Sequence, residues 1–157
     1  MNTSTESIPD TNAHRFHACS VARALDILGD RWTFLLMRES FFGVRRYSEL
    51  ARNLKCSRTI LSDRLSRLQD ADVMERRQYR SDPDHYEYLL TDTGVDLYPA
   101  ILALMHWGDE HLAGNEGPPL LLRHQPCGTD TTPILVCSTC REPIHAHDIQ
   151  PHPGPGA

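Results

Sequence analysis

Residues 47–69 read YSELARNLKCSRTILSDRLSRLQ, and two short helical periods lie side by side in that stretch. Tyr47, Leu50, Ala51 and Leu54 recur on one helix face. Lys55-Cys56 leaves room for only a tight connection. Ser57 is a natural N-cap, because its side-chain oxygen can accept a first-turn backbone N–H. Leu61, Leu65 and Leu68 then recur at i, i+4 and i+7, with Ile60 beside them. Two short helices joined by so short a turn predict a helix-turn-helix. If the three leucines face a core, the opposite stripe carries Arg58, Thr59, Ser62, Asp63, Ser66 and Arg67.

Working outward, Val21, Leu25 and Leu28 predict an amphipathic helix that ends near Gly29. Asp30 can cap a second helix carrying Trp32, Leu35, Leu36 and Phe41, which stops around Gly43. Beyond the central pair the period changes. Val73 to Arg80 and Tyr86 to Thr91 are strand-like, with turn chemistry at Ser81-Asp82-Pro83-Asp84 between them. This is a hairpin wing following the second helix of the pair. Thr91 can cap a long helix to Leu112, bent near Pro99. The expected fold is mainly α with a small β-hairpin wing: a winged helix-turn-helix over 15–113, with a small Cys/His module at 120–149. Residues 1–14 and 150–157 are polar or Pro/Gly-rich and are expected to be disordered.

The stretches CSVARALDILGDRWTFLLMRESFFGVRRYSEL, SRTILSDRLSRLQDADVMERR, YEYLLTDTG and ALMHWGDEHL follow in order between Cys19 and Leu112. In this they resemble the HxlR-type winged helix-turn-helix transcriptional regulators. The likeness departs at Asp72-Val73, where the family turns through a glycine before its wing. It implies a DNA-binding regulator, a repressor, that works as a homodimer.

The chain has 157 residues and a formal net charge of -5, which argues against a nucleic-acid partner. The distribution reverses that argument. Residues 45–80 hold ten basic and five acidic side chains, whereas residues 81–157 hold two basic and eleven acidic. A local field decides what a surface attracts. The basic island coincides with the helix pair and the wing, so double-stranded DNA is the expected partner. Ser57, Arg58, Thr59 and Ser62 are expected at base edges or flanking phosphates. Arg64 and Arg67, the wing residues Arg76, Arg77 and Arg80, and Arg45 and Arg46 before the third helix are expected at phosphates. Asp63 is a counter-signal unless it pairs with Arg67 or accepts a cytosine hydrogen bond. The long helix holds more apolar residues than one core-facing stripe needs and is, with the first helix, the expected dimer seam. At least one of Tyr98 and Trp107 is expected to fill the protomer core instead.

No apolar run is long enough to span a bilayer, and Met1 to Asn12 lacks the pattern of a signal peptide. Five cysteines with no secretory signal point to the cytoplasm and reduced thiols. Cys19 precedes a helix N-terminus, near Arg15, His17 and Arg23. By resemblance it is a redox-sensing candidate for an electrophile or other small-molecule effector; a buried filler is the alternative. His124-x2-Cys127 and Cys137-x2-Cys140 have the spacing of paired metal knuckles, with His145 and His147 beyond, and Pro133 to Val136 is read as a strand leading into the second. Structural Zn²⁺, a disulfide and plain packing are all open for these residues, and no cofactor is expected for DNA binding itself. No nucleophile–base pair or open metal site favours an enzyme. The rival to a DNA regulator is a zinc-dependent protein-interaction module at 120–149.

Overall fold

The computed structural model describes residues 19–81 and 83–155. The expected arm at 1–14, Arg15, His17, Asp82 and the last two residues of the tail lie outside the described residues. The elements run α1 (Ser20–Leu28), α2 (Arg31–Phe41), α3 (Tyr47–Leu54), α4 (Arg58–Asp70), β1 (Met74–Ser81), β2 (Asp84–Leu90), α5 (Asp92–Val95) and α6 (Tyr98–Leu112). A single 3-10 turn and two short strands, β3 (Leu122–His124) and β4 (Thr129–Thr131), follow.

Local chemistry sets the helix starts. The Asp30 carboxylate accepts the N–H groups of Trp32 at 2.9 Å and Thr33 at 3.1 Å, satisfying donors that the first turn of α2 leaves free. Ser57 Oγ accepts the Ile60 N–H at 3.2 Å, and Thr91 Oγ1 accepts the Gly94 N–H at 3.1 Å. The turn between α3 and α4 begins at Lys55, whose φ of 54° is left-handed and whose N–H returns to Ala51.

Leu61, Leu65 and Leu68 are all buried, against Leu36 and Met37 of α2, Leu50 and Leu54 of α3, and Val73 and Met74 at the base of the wing. Asp72 takes a φ of 55°. It performs the left-handed turn that a glycine would otherwise make, a conformation an aspartate tolerates better than most residues. Its N–H donates to Gln69 O, and Val73 N–H to Leu68 O, so the strand starts at Met74, one residue later than expected. β1 and β2 pair antiparallel from Met74↔Leu90 to Ser81↔Asp84, with a bulge between Gln78 and Arg80. The second strand thus begins at Asp84 rather than Tyr86, and Ser81 and Asp84 belong to the ladder rather than to the turn.

Three other expectations need correction. The long helix is two helices: Val95 ends α5, and Pro99 lies in the first turn of α6. A proline ring collides with the carbonyl four residues earlier, here that of Val95, so one helix cannot run through. Neither Tyr98 nor Trp107 enters the core; both are exposed, Tyr98 resting on Phe41 at 4.7 Å and Trp107 on His111 at 5.2 Å. Pro133 to Val136 is not a strand. Val136 forms an isolated bridge to Pro143, flanked by the Ile144 N–H donating to Leu135 O and the Cys137 N–H to Glu142 O, and the pairing run is too short for a strand. The strands of this region are β3 and β4 instead.

Gly94 explains the LTDTG stretch. A Cβ there would stand 2.1 Å from the Val73 carbonyl oxygen, so α5 can lie on the wing base only with glycine at this place. Truncating the central leucine of the buried stripe, Leu65→Ala, should lower stability by about 2–5 kcal/mol in urea denaturation, since both transfer energy and a cavity are at stake. A loss well under 1 kcal/mol would show that the stripe is not closely packed.

Candidate nucleic-acid interface

Burial of the leucines turns Ser57, Arg58, Thr59, Ser62 and Arg67 to solvent on the outer face of α4. Tyr47 ties this face to its surroundings. Its hydroxyl donates to the Arg58 carbonyl at 3.2 Å and lies 3.2 Å from Ser62 Oγ. Tyr47 directly follows Arg45 and Arg46, and the backbone there is drawn onto the wing. Tyr88 N–H donates to Arg45 O at 2.8 Å, and Arg46 bridges to Glu87. The loop therefore ties α4 to the hairpin, so the three segments that carry the basic residues are joined, although the pleat of β1 sets Arg76, over Tyr86, and Arg77, across from Glu87, on opposite faces of the wing.

On the wing, Arg76, Arg77 and Arg80 are exposed. The Arg76 guanidinium stacks over Tyr86 at 3.5 Å, and Arg46 sits 5.2 Å from the centre of the Tyr79 ring, on the residue that the bulge leaves unpaired. Cation–π contacts hold these groups in place without neutralising them. Arg77 differs: two of its nitrogens donate to Glu87 Oε1, at 2.9 and 3.1 Å, so part of its field is cancelled at the surface.

Arg64 also differs from its neighbours. It is half-buried, with Nε 3.0 Å from Asp30 Oδ2 and Nη1 3.0 Å from Asp63 Oδ2. Neither N–H is aligned for a hydrogen bond, so these are charge contacts. Asp63 thus pairs with Arg64 rather than Arg67. Asp30 serves two helices at once, capping α2 and holding α4. Partial burial would raise its carboxyl. The Thr33 hydroxyl and N–H, the Trp32 N–H and Arg64 together outweigh this and keep it below the ordinary aspartate value. Sequence spacing gave no sign of this tie, because its partners lie in different helices.

Cys19 is exposed at the N-cap position of α1, and its carbonyl accepts the Arg23 N–H. In the C-terminal extension His124 Nδ1 lies 3.3 Å from Cys127 Sγ, and Cys137 and Cys140 stand three residues apart in a second turn that the Arg141 N–H closes onto the Cys137 carbonyl. The Thr129 hydroxyl and N–H hold the Cys127 thiol below its usual range, and the N–H groups of Cys140 and Thr139 do the same for Cys137. The four residues form two pairs. Among the described residues, no group of three or more His, Cys, Asp or Glu side chains is gathered to hold a metal. A cavity of about 100 Å³ separates α6 from this extension, lined by Met105, His106, Asp109, Leu121 and Pro133 among others. No helix among the described residues is long and apolar enough to cross a membrane.

The family model described as HxlR-like helix-turn-helix matches residues 27–116. An uncharacterized HTH-type transcriptional regulator of Mycobacterium tuberculosis (strain H37Rv) is 51% identical over 144 residues, covering 92% of this chain and 91% of that one. The uncharacterized HTH-type transcriptional regulator YdeP of Bacillus subtilis (strain 168) is 31% identical over 103 residues, covering 65% and 80%. Among solved structures, a candidate transcription factor superposes with a TM-score of 0.79 at 30% identity, over 89% of this chain and 98% of that chain. The redox regulator HypR in its oxidised form matches with a TM-score of 0.56 at 29% identity, over 59% and 97%. The family model stops at Glu116, whereas the mycobacterial match, at 92% of the chain, runs on into the C-terminal extension.

The Asp30–Arg64 contact has a pH signature. Asp30→Asn keeps an N-cap of equal quality but removes the charge facing Arg64. A carboxyl lowered in the folded state contributes fully above its unfolded value of about 3.9, and its contribution disappears as pH falls through the lowered folded value. The stability gap between wild type and Asp30→Asn should therefore be constant from about pH 7 to 5 and close below about pH 4. A gap that persists unchanged at about pH 3 would show that the charge does not matter.

Proposed function

Since the chain belongs to the HxlR-like helix-turn-helix family and is a transcriptional regulator with a helix-turn-helix DNA-binding fold, we propose that it acts as a homodimeric repressor. Each protomer sets α4 into a major groove and lays its wing along the phosphate backbone. The observation that supports this reading is the junction of the three basic segments, α4, the Arg45–Arg46 loop and the hairpin, through Tyr47 and the Arg45–Tyr88 hydrogen bond. Arg58, Thr59 and Ser62, near the N-terminus of α4, read base edges. Arg45, Arg46, Arg67, Arg76 and Arg80 take phosphates. Arg77, shared with Glu87, contributes less to phosphate binding, and Arg64 acts by holding α4 against Asp30.

A dimer is supported by apolar surface that the single chain leaves open on two helices. Leu25 of α1 is 49% exposed, and Leu104 and Trp107 of α6 are each 53% exposed. Pairing through these helices puts two copies of α4 at successive major grooves about 34 Å apart. A protein covering that length of promoter excludes polymerase, which is the simplest route to repression. Thiol chemistry is the gating that we favour over a large ligand. The cavity beside α6 holds about 100 Å³ and one between α2 and β2 about 270 Å³, against the roughly 300–1,000 Å³ of ordinary small-molecule sites. Cys19 is exposed at the start of α1, so a bulky or charged adduct there would act on the dimer seam. The structural neighbour HypR is itself a redox regulator.

Salt-dependent binding to an operator selected from random DNA tests the reading. Each phosphate contact contributes about 0.9 to the slope of log K against log salt. Arg46→Ala, present twice in a dimer, should reduce that slope by nearly two, whereas Arg77→Ala should reduce it less. Unchanged slopes for Arg46→Ala would remove the loop from the interface. In sedimentation, wild type should run as a dimer at micromolar concentration and Trp107→Asp as a monomer; a monomeric wild type would overturn the two-helix seam.

A further inference from the structure

The extension beyond α6 poses a physical problem. Among the described residues no side chain after Ile101 is buried, yet β3, β4 and a second bridged turn hold defined positions. Its apolar residues do not form a core; Leu121, Ile134 and Leu135 are all more than 60% exposed. A segment this short with no buried core needs a cross-link or a bound ion to stay ordered.

Its two turns are built alike. In the first, His124 closes β3, the Gly128 N–H donates to the His124 carbonyl at 2.8 Å, and Gly128 has a φ of 69°. In the second, the Arg141 N–H donates to the Cys137 carbonyl at 2.9 Å, and Arg141 has a φ of 66°. Each turn caps an antiparallel pairing. His124 faces Thr129 across β3–β4, and Val136 faces Pro143 with the Cys137 N–H donating to Glu142 O. Each places two soft or borderline donors three residues apart, followed by a left-handed residue. In Arg141 that conformation costs about 1–2 kcal/mol, an expense with no return in packing, since Arg141 is exposed.

The donor spacing has a scale. In a tetrahedral site with Zn–S of about 2.3 Å and Zn–N of about 2.0 Å, neighbouring ligand atoms stand about 3.6 Å apart. His124 Nδ1 and Cys127 Sγ are at 3.3 Å, so the first turn already has nearly the separation of a ligand pair. The second turn sets Cys137 and Cys140 at the same three-residue spacing, closed by the same kind of backbone bond, Arg141 N–H to the Cys137 carbonyl. The two pairs do not converge in the structure. Beyond β4 only residues 132–136 separate them, a segment that reaches about 17 Å when extended, so the second turn can fold toward the first with the β3–β4 pairing intact.

We propose that His124, Cys127, Cys137 and Cys140 close around one Zn²⁺ as a structural Cys₃His site that orders the C-terminal extension. The three thiols lose their protons to solvent on binding. The site is closed, with four protein ligands and no position for substrate. His145 and His147 are not ligands, since neither belongs to a turn of this form.

Native mass spectrometry of the full chain, prepared with reductant and zinc and then freed of excess metal, should find one zinc per protomer. Cobalt substitution should give the intense thiolate-to-metal charge-transfer absorption and tetrahedral ligand-field bands of an S₃N set. Cys127→Ser and Cys140→Ser should each lose the stoichiometric ion, and His145→Ala should keep it. Hydrogen exchange over 120–149 should speed up at least tenfold when a chelator removes the metal, while the amides of α2 to α4 stay protected. These readouts are independent of DNA binding, so they stand or fall separately from the regulator reading. Zinc retained in Cys127→Ser, no stoichiometric zinc in reduced wild type, or a Cys137–Cys140 disulfide in place of metal would each overturn the proposal.

Discussion

The burial of one leucine stripe decides what this chain can present to a partner. With Leu61, Leu65 and Leu68 each at 1% exposure or less, α4 has no rotational freedom about its own axis. A turn of the helix by one residue would expose a leucine and bury a guanidinium, and a buried unpaired charge costs several kcal/mol. The outward direction of Arg58, Thr59 and Ser62 is therefore a consequence of packing. The wing depends on the same stripe, because Val73 and Met74 join that core and Asp72 turns the chain immediately after α4 ends.

Two side chains and one backbone carbonyl then convert a packed helix into a positioned one. Asp30 reaches Arg64 from the cap of α2, Tyr47 reaches the first turn of α4 from the start of α3, and the Arg45 carbonyl reaches the wing. Each contact crosses between elements that carry basic residues, so α4 and the wing are tied to each other through the loop. For a surface that must meet successive phosphates at fixed spacing, rigidity of this kind reduces the ordering entropy that binding would otherwise cost.

What could be read from the sequence was whatever local chemistry specifies. Asp30, Ser57 and Thr91 cap where their side chains predicted, and the i, i+4, i+7 leucines are buried, because caps and periodicity are properties of neighbouring residues. The misreadings share one cause, dependence on distant partners. That Arg64 pairs with Asp30 could not be read from spacing, because Asp30 caps another helix. The second strand looked shorter because its first residues pair across a bulge at Tyr79, and register is fixed only when both strands meet. At least one of Tyr98 and Trp107 looked like core because aromatic residues usually are, yet nothing in the sequence fixes where α6 lies against α2. Asp72 is the instructive middle case. The missing glycine was visible, and the structure shows an aspartate adopting the conformation that the position requires.

The charge asymmetry follows from the same division. Among residues 45–80, Glu49 and Asp70 flank the helix pair, Asp63 and Glu87 (the latter just beyond that segment) hold Arg64 and Arg77, and the remaining arginines are left to solvent. Acid in this segment sets the positions of base more than it dilutes it. In the rest of the chain the acidic residues have few such partners: of two basic residues after residue 80, Arg123 is already paired with Asp130 at 2.8 Å. Uncompensated carboxylates there disfavour phosphate contact with that part of the chain, and the effect is strongest at low salt, where the screening length is longest. The overall charge of -5 is thus compatible with DNA binding because its two parts lie in different segments, one attracting the duplex and one disfavouring contact with it.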